Sequence, residues 1–87
     1  MGRAKRLRVE KLPEKLLQIR NSLNLKQSEL IKELGLEGVI YQGNVSEYET
    51  GRRQPPLPII LKYARLAGVS TDVLIDDGLE LSKKIKT

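Results

Sequence analysis

The sequence predicts an all-α protein: a compact five-helix bundle around one small core, with a flexible basic N-terminal arm. Three observations predict it. Apolar residues recur at steps of three and four, as one face of a helix requires, and no stretch alternates as a half-buried strand would. Glycines and prolines cut the chain into segments of helical length. Finally, 87 residues at 39% hydrophobic suit one domain with one core. The only aromatics are three tyrosines, so Leu, Ile and Val must carry the packing.

The first helix opens at Leu12–Pro13, since proline in a first turn loses a donor the helix does not use. Leu12, Leu16, Ile19 and Leu23 then line one face, and Asn24 is a plausible stop. A second helix runs from Gln27 to Gly35, with Leu30, Ile31 and Leu34 inward. The run LEGVI, residues 36–40, reads as an extended turn. Gln42–Thr50 forms the third helix, with Val45 and Tyr48 facing inward and Gly51 ending it. The following RRQPPLP cannot continue a helix, because proline removes donors and restricts its predecessor. A fourth helix starts near Leu57 or Pro58, turns Leu57, Ile60, Leu61 and Ala64 to the core, and closes at Gly68. Ser70 suits the N-cap of a short fifth helix, with Asp72 in its first turn and Val73, Leu74 and Ile75 as its apolar side. The organisation expected is a basic flexible arm (1–11), a domain (12–79) and a basic C-terminal tail (80–87).

Net charge is +5 and unevenly placed. Arg3, Lys5, Arg6, Arg8 and Lys11 against Glu10 leave the arm at +4; Lys83, Lys84 and Lys86 against Glu80 leave the tail at +2; the body is −1. Basic ends of this kind meet a polyanion, nucleic acid before an acidic membrane surface, although for the tail a merely solubilising role is the simpler reading.

Several function classes are excluded. With no His and no Cys there is no zinc site, no disulfide and no thiol chemistry, and the usual general base near neutral pH is missing. No carboxylates cluster as an acid–base pair and the glycines form no phosphate loop, so an enzyme is not expected, nor any cofactor. No apolar run is long enough to span a bilayer, no signal peptide opens the chain, and MGRAKR fails the myristoylation pattern at Arg6. No segment sets a strong apolar face against a basic one, so no membrane partner is expected.

LKQSELIKELG, then NVSEYETGRRQPPL, then ILKYARLAGVSTDVLIDD resemble, in order and spacing, the phage-repressor (Cro/C1, XRE-type) helix-turn-helix proteins, from about Leu16 to Asp77. The resemblance implies a lambda-repressor-like five-helix bundle in which the third helix enters the DNA major groove and the second braces it. It implies site residues as well. Gln27 matches the family's glutamine at the start of the second helix, where amide and helix N-terminus meet a phosphate. Lys26 stands where a Ser or Thr cap is usual; it forgoes a cap worth about 1 kcal/mol and adds a cation beside that phosphate. Tyr41, Gln42, Gly43 and Asn44 match the exposed start of the recognition helix. Gln42 is the first choice as base reader and Asn44 the second, since such amides pair bidentately with adenine. Gly43 allows close approach. Tyr41 either reaches a phosphate or thymine methyl, or packs as a lid over the helix start. Glu47, beside phosphates, is expected to pair internally rather than accept from a cytosine.

Arg20 and Glu49 match a pair joining the first and third helices, a structural ion pair that orients more than it stabilises. Arg52 and Arg53 fall in the loop that meets the sugar-phosphate backbone in the family, with Gly51 turning the chain and Pro55–Pro56 stiffening it. Arg3, Lys5, Arg6 and Arg8 of the arm are expected to follow the backbone or enter the minor groove. Two departures stand out. LEGVI lengthens the turn by about four residues relative to the family pattern, and Ile31 replaces its small residue, usually Ala. Together they imply a wider or re-angled motif, with Val39 and Ile40 folding back as extra core.

The function expected is a sequence-specific DNA-binding transcription regulator, a small repressor or autoregulator, cytoplasmic and associated with a bacterial or phage nucleoid. Its partner is double-stranded DNA. A homodimer is expected on half-sites about 34 Å apart, and residues 69–81, with Val73, Leu74, Ile75, Leu79 and Leu81, form either its dimer surface or simply the closing of the core. The alternative is an interaction module, an antitoxin or co-regulator whose main partner is a protein.

Overall fold

The computed structural model of the protein describes residues 8–81. Five helices follow in chain order: α1 (Leu12–Ser22), α2 (Gln27–Glu33), α3 (Gln42–Thr50), α4 (Leu57–Ala67) and α5 (Thr71–Ile75). They surround a single core to which all five contribute, including Leu16, Leu30, Val45, Tyr63 and Leu74. No strand occurs among the described residues.

The helix stops follow local chemistry. Asn24 takes φ 61°, a left-handed conformation that a short polar side chain tolerates, and Leu25 N–H donates back to Arg20 O at 3.1 Å. Gly51 ends α3 at φ 80°, and a Cβ there would meet Pro13 Cγ at 3.3 Å, so both the backbone and the packing of α1 against α3 ask for glycine. At the end of α4, Val69 N–H donates to Ala64 O at 3.0 Å and Gly68 N–H to Arg65 O at 3.2 Å, so two of the last four carbonyls are satisfied. Ser70 sits at the N-cap of α5 but makes no side-chain cap bond; its exposed hydroxyl is left to solvent, and only its backbone carbonyl engages the helix, accepting from Val73 N–H at 3.1 Å.

The face of α4 differs from the expectation. Ile60 and Ala64 are buried, but Leu57 is 72% exposed and Leu61 is exposed beside it. Their places go to Ile59, Tyr63 and Ala67. The helix carries two overlapping apolar stripes, and the buried one sets Tyr63, fully enclosed, ahead of the small Ala64 and Ala67, which let the helix approach closely. The 36–40 turn also divides: Ile40 and Leu36 are buried, and Val39 is exposed.

Two charged side chains fasten the far end of the bundle. Lys15, only 3% exposed, lies on the apolar face of α1 and donates to Val73 O at 2.6 Å and Asp76 O at 3.1 Å, capping the C-terminus of α5. In return Asp77 accepts from Glu10 N–H at 2.9 Å and Lys11 N–H at 3.0 Å, placing a carboxylate at the N-terminus of α1. Those two N–H donors, from Lys11 and then Glu10, hold the Asp77 carboxyl below its ordinary value.

Some residues of the expected arm and tail engage the bundle. Val9 packs on the core, Glu10 and Lys11 are clamped by Asp77, and Leu81 is buried. Arm residues 1–7 and tail residues 82–87 lie outside the described residues.

Candidate nucleic-acid interface

α2 packs on α3, with Leu30 and Ile31 buried on the one and Val45 and Tyr48 on the other. Polar bonds set their mutual position. Arg20 reaches from α1 to Glu49 in a fork, Nε to Oε2 at 2.7 Å and Nη2 to Oε1 at 3.0 Å, while Nη1 donates to Leu25 O at 3.0 Å. Gln27 joins the same cluster: its Nε2 donates to Ser46 Oγ at 3.1 Å and Glu49 Oε1 at 3.3 Å. The Gln27 amide thus holds α2 to α3, with both of its N–H groups engaged within the fold. Beneath lies Tyr63, fully buried, its hydroxyl without a hydrogen-bond partner among the described residues; burial pushes the phenol well up, so it stays neutral.

The start of α2 has half a capping box. An ammonium has no lone pair to accept with, so Lys26 caps nothing, but Glu29 Oε1 accepts from Lys26 N–H at 2.7 Å. The Lys26 side chain stays exposed.

The start of α3 sorts its four candidate residues. Tyr41 is the N-cap and 64% exposed. Asn44 is half-buried, and its Oδ1 accepts from Tyr41 N–H at 2.8 Å. A bidentate pair with adenine uses both amide atoms, so Asn44 as a reader would share its oxygen with the helix start. Gln42 is exposed, and its side chain makes no hydrogen bond among the described residues. Gly43 is exposed too, and a Cβ built there meets nothing within 4 Å.

The cations around this edge are not alike. Arg53 Nε lies 3.3 Å from Glu47 Oε1, so its charge is partly balanced by the carboxylate that was expected to find an internal partner. Arg52 is exposed and forms no ion pair among the described residues. Arg8, expected on a phosphate, donates instead to Gly51 O at 2.8 Å, where a guanidinium suits the C-terminal end of α3. Val9 N–H donates to Gln54 Oε1 at 3.3 Å, so the strap over residues 8–9 lies on the 51–54 loop. Arg3, Lys5 and Arg6 fall outside the described residues.

Sequence reasoning passed over Lys15, Asp77 and Arg8 in these roles. For Lys15 a signal existed: it lies three residues after Leu12 and four before Ile19, on the buried face. Asp77 and Arg8 offered none, because their partners are 66 and 43 residues away.

Among the described residues, no helix is long and apolar enough to cross a membrane, and no group of His, Cys, Asp or Glu is placed to hold a metal ion. No curated protein and no solved structure matches the chain. A family model does: HTH_3, described as helix-turn-helix, matches residues 16–74, from the middle of α1 into α5. With α2, α3 and their turn arranged as above, the chain belongs to the Cro/C1-type, XRE-like helix-turn-helix family, a family of DNA-binding transcription regulators.

Proposed function

We propose that this chain is a sequence-specific regulator, a small repressor or autoregulator, that reads the major groove of DNA with the outer edge of α3. The observation that carries the reading is Gly43. Glycine in a helix costs up to about 1 kcal/mol relative to alanine, yet a Cβ at this first-turn position would meet nothing within 4 Å among the described residues. No described neighbour asks for glycine; a duplex brought against the helix backbone would. Gln42 precedes it with a free amide, suited to adenine N6 and N7. Lys26 and Arg52 flank the edge as exposed cations for phosphates.

A homodimer on a pseudo-palindrome supplies the base pairs that one module lacks. Leu74 and Leu81 close the core, so Ile75 and Leu79, both exposed, are what residues 69–81 leave for such a contact.

Selection of bound sites from random DNA tests the reading, with a palindromic motif as the expected result. On that site Gln42→Ala costs about 1–3 kcal/mol of affinity and relaxes one position, whereas Arg52→Ala weakens all sequences alike and flattens the salt dependence. No enrichment over scrambled competitor would remove the proposal.

A further inference from the structure

The lengthened turn between α2 and α3 is pinned at both ends. Leu36 and Ile40 are buried, and Val39 and Ile40 N–H both donate to Leu36 O, at 2.9 and 3.1 Å. Between these anchors Val39 is held outward, 66% exposed. Tyr41 follows, 64% exposed, its hydroxyl 3.5 Å from Gly38 O, so the ring lies back along the turn. The result is an apolar ridge, aliphatic then aromatic, set immediately ahead of Gln42.

The core does not need this ridge. Leu36 and Ile40 supply the buried residues of the turn, and a polar residue at 39 would leave the fold unchanged. Its chemistry selects a partner. Glu37, exposed on the same turn, opposes a phosphate there. Among the groups a base pair displays in the major groove, one is apolar: the C5-methyl of thymine. We propose that Val39, backed by Tyr41, contacts a thymine methyl next to the base read by Gln42, so that the turn as well as the helix determines specificity. This rests on the reading of α3 as the recognition helix.

The test uses the DNA site enriched by selection. Each thymine is replaced singly by deoxyuridine, which removes only the methyl, and Kd is measured for the unaltered chain, Val39→Ser and Val39→Leu. One thymine beside the Gln42 position is expected to matter: its demethylation weakens the unaltered chain about fourfold, the worth of one buried methyl. Val39→Ser binds thymine and uracil there equally, and Val39→Leu restores the difference. All three proteins keep the same thermal midpoint, since Val39 is exposed. If no thymine is methyl-sensitive, or the sensitivity persists in Val39→Ser, the ridge contacts something else and the inference is overturned. A selection that enriches nothing removes the reading of α3 and the ridge with it; a successful selection without methyl sensitivity removes the ridge alone.

Discussion

The two ends of this small bundle treat polar groups in opposite ways. Where α1 meets α5, Lys15 caps one helix, Asp77 caps the other, and the donors and acceptors involved belong to the chain. At the outer edge of α3, Gln42 and Gly43 are exposed, and the Gln42 amide makes no hydrogen bond among the described residues, next to an apolar turn tip. Asn44 stands between the two regimes: it lies on the exposed edge by sequence, yet its oxygen is turned inward to close the helix. The comparison teaches that position on α3 does not by itself mark a DNA reader. A side chain that the fold already uses is less free to read, and one that the fold leaves idle is the stronger candidate.

The sharpest way to break this comparison is at Glu49, the carboxylate shared by Arg20 and Gln27. Its side chain is 5% exposed and that of Arg20 is 18% exposed, so Glu49→Ala strands a largely desolvated guanidinium. The expected loss of stability is about 3 kcal/mol, measured by urea unfolding. A variant as stable as the parent would mean that the inward network contributes nothing to the fold.

A smaller effect with two signs tests the outward edge. Gly43→Ala is expected to raise stability by up to about 0.5–1 kcal/mol, because it removes a glycine from the first turn of the helix and its replacement meets open space among the described residues. The same variant is expected to bind the selected DNA more weakly. A loss of stability would show that Gly43 serves the fold, and an affinity that does not fall would show that it does not serve the groove.

The least effect is expected at Asp77, and pH gives its sign. Backbone donors depress its folded pKa, so its contribution is present above the ordinary value of 3.8 and fades as pH falls through the lower folded value. Asp77→Asn therefore lowers the thermal midpoint at pH 7, and the gap to the unaltered chain closes in acid. A gap that stays constant from pH 7 to pH 3 would separate the clamp from the carboxylate charge.

Much of the fold was legible because its signals are local. Pro13, Asn24, Gly35, Gly51 and Gly68 act on their own backbone and immediate neighbours, so helix boundaries follow from composition within a few residues. The Arg20–Glu49 fork was reachable only through resemblance, since nothing in the spacing of those two residues brings them together. The candidate site was legible as a stretch, Tyr41–Asn44, but not in its division of labour. An amide reads as a base contact or as a cap with equal ease until the backbone N–H beside it is placed.

The sequence by itself determined five helices, their stops, a core drawn from Leu, Ile and Val, and cationic side chains beside the loop after α3. Tertiary structure alone decided which apolar stripe of α4 is buried, that Val39 points out while Ile40 points in, and that Arg8, Lys15 and Asp77 are spent on holding helix ends. The physical reason is range. Backbone preferences and caps act over a few residues, whereas a buried charge or a competing apolar face is settled only when segments some 40 to 70 residues apart close on each other and the alternative that leaves fewer polar groups unpaired prevails.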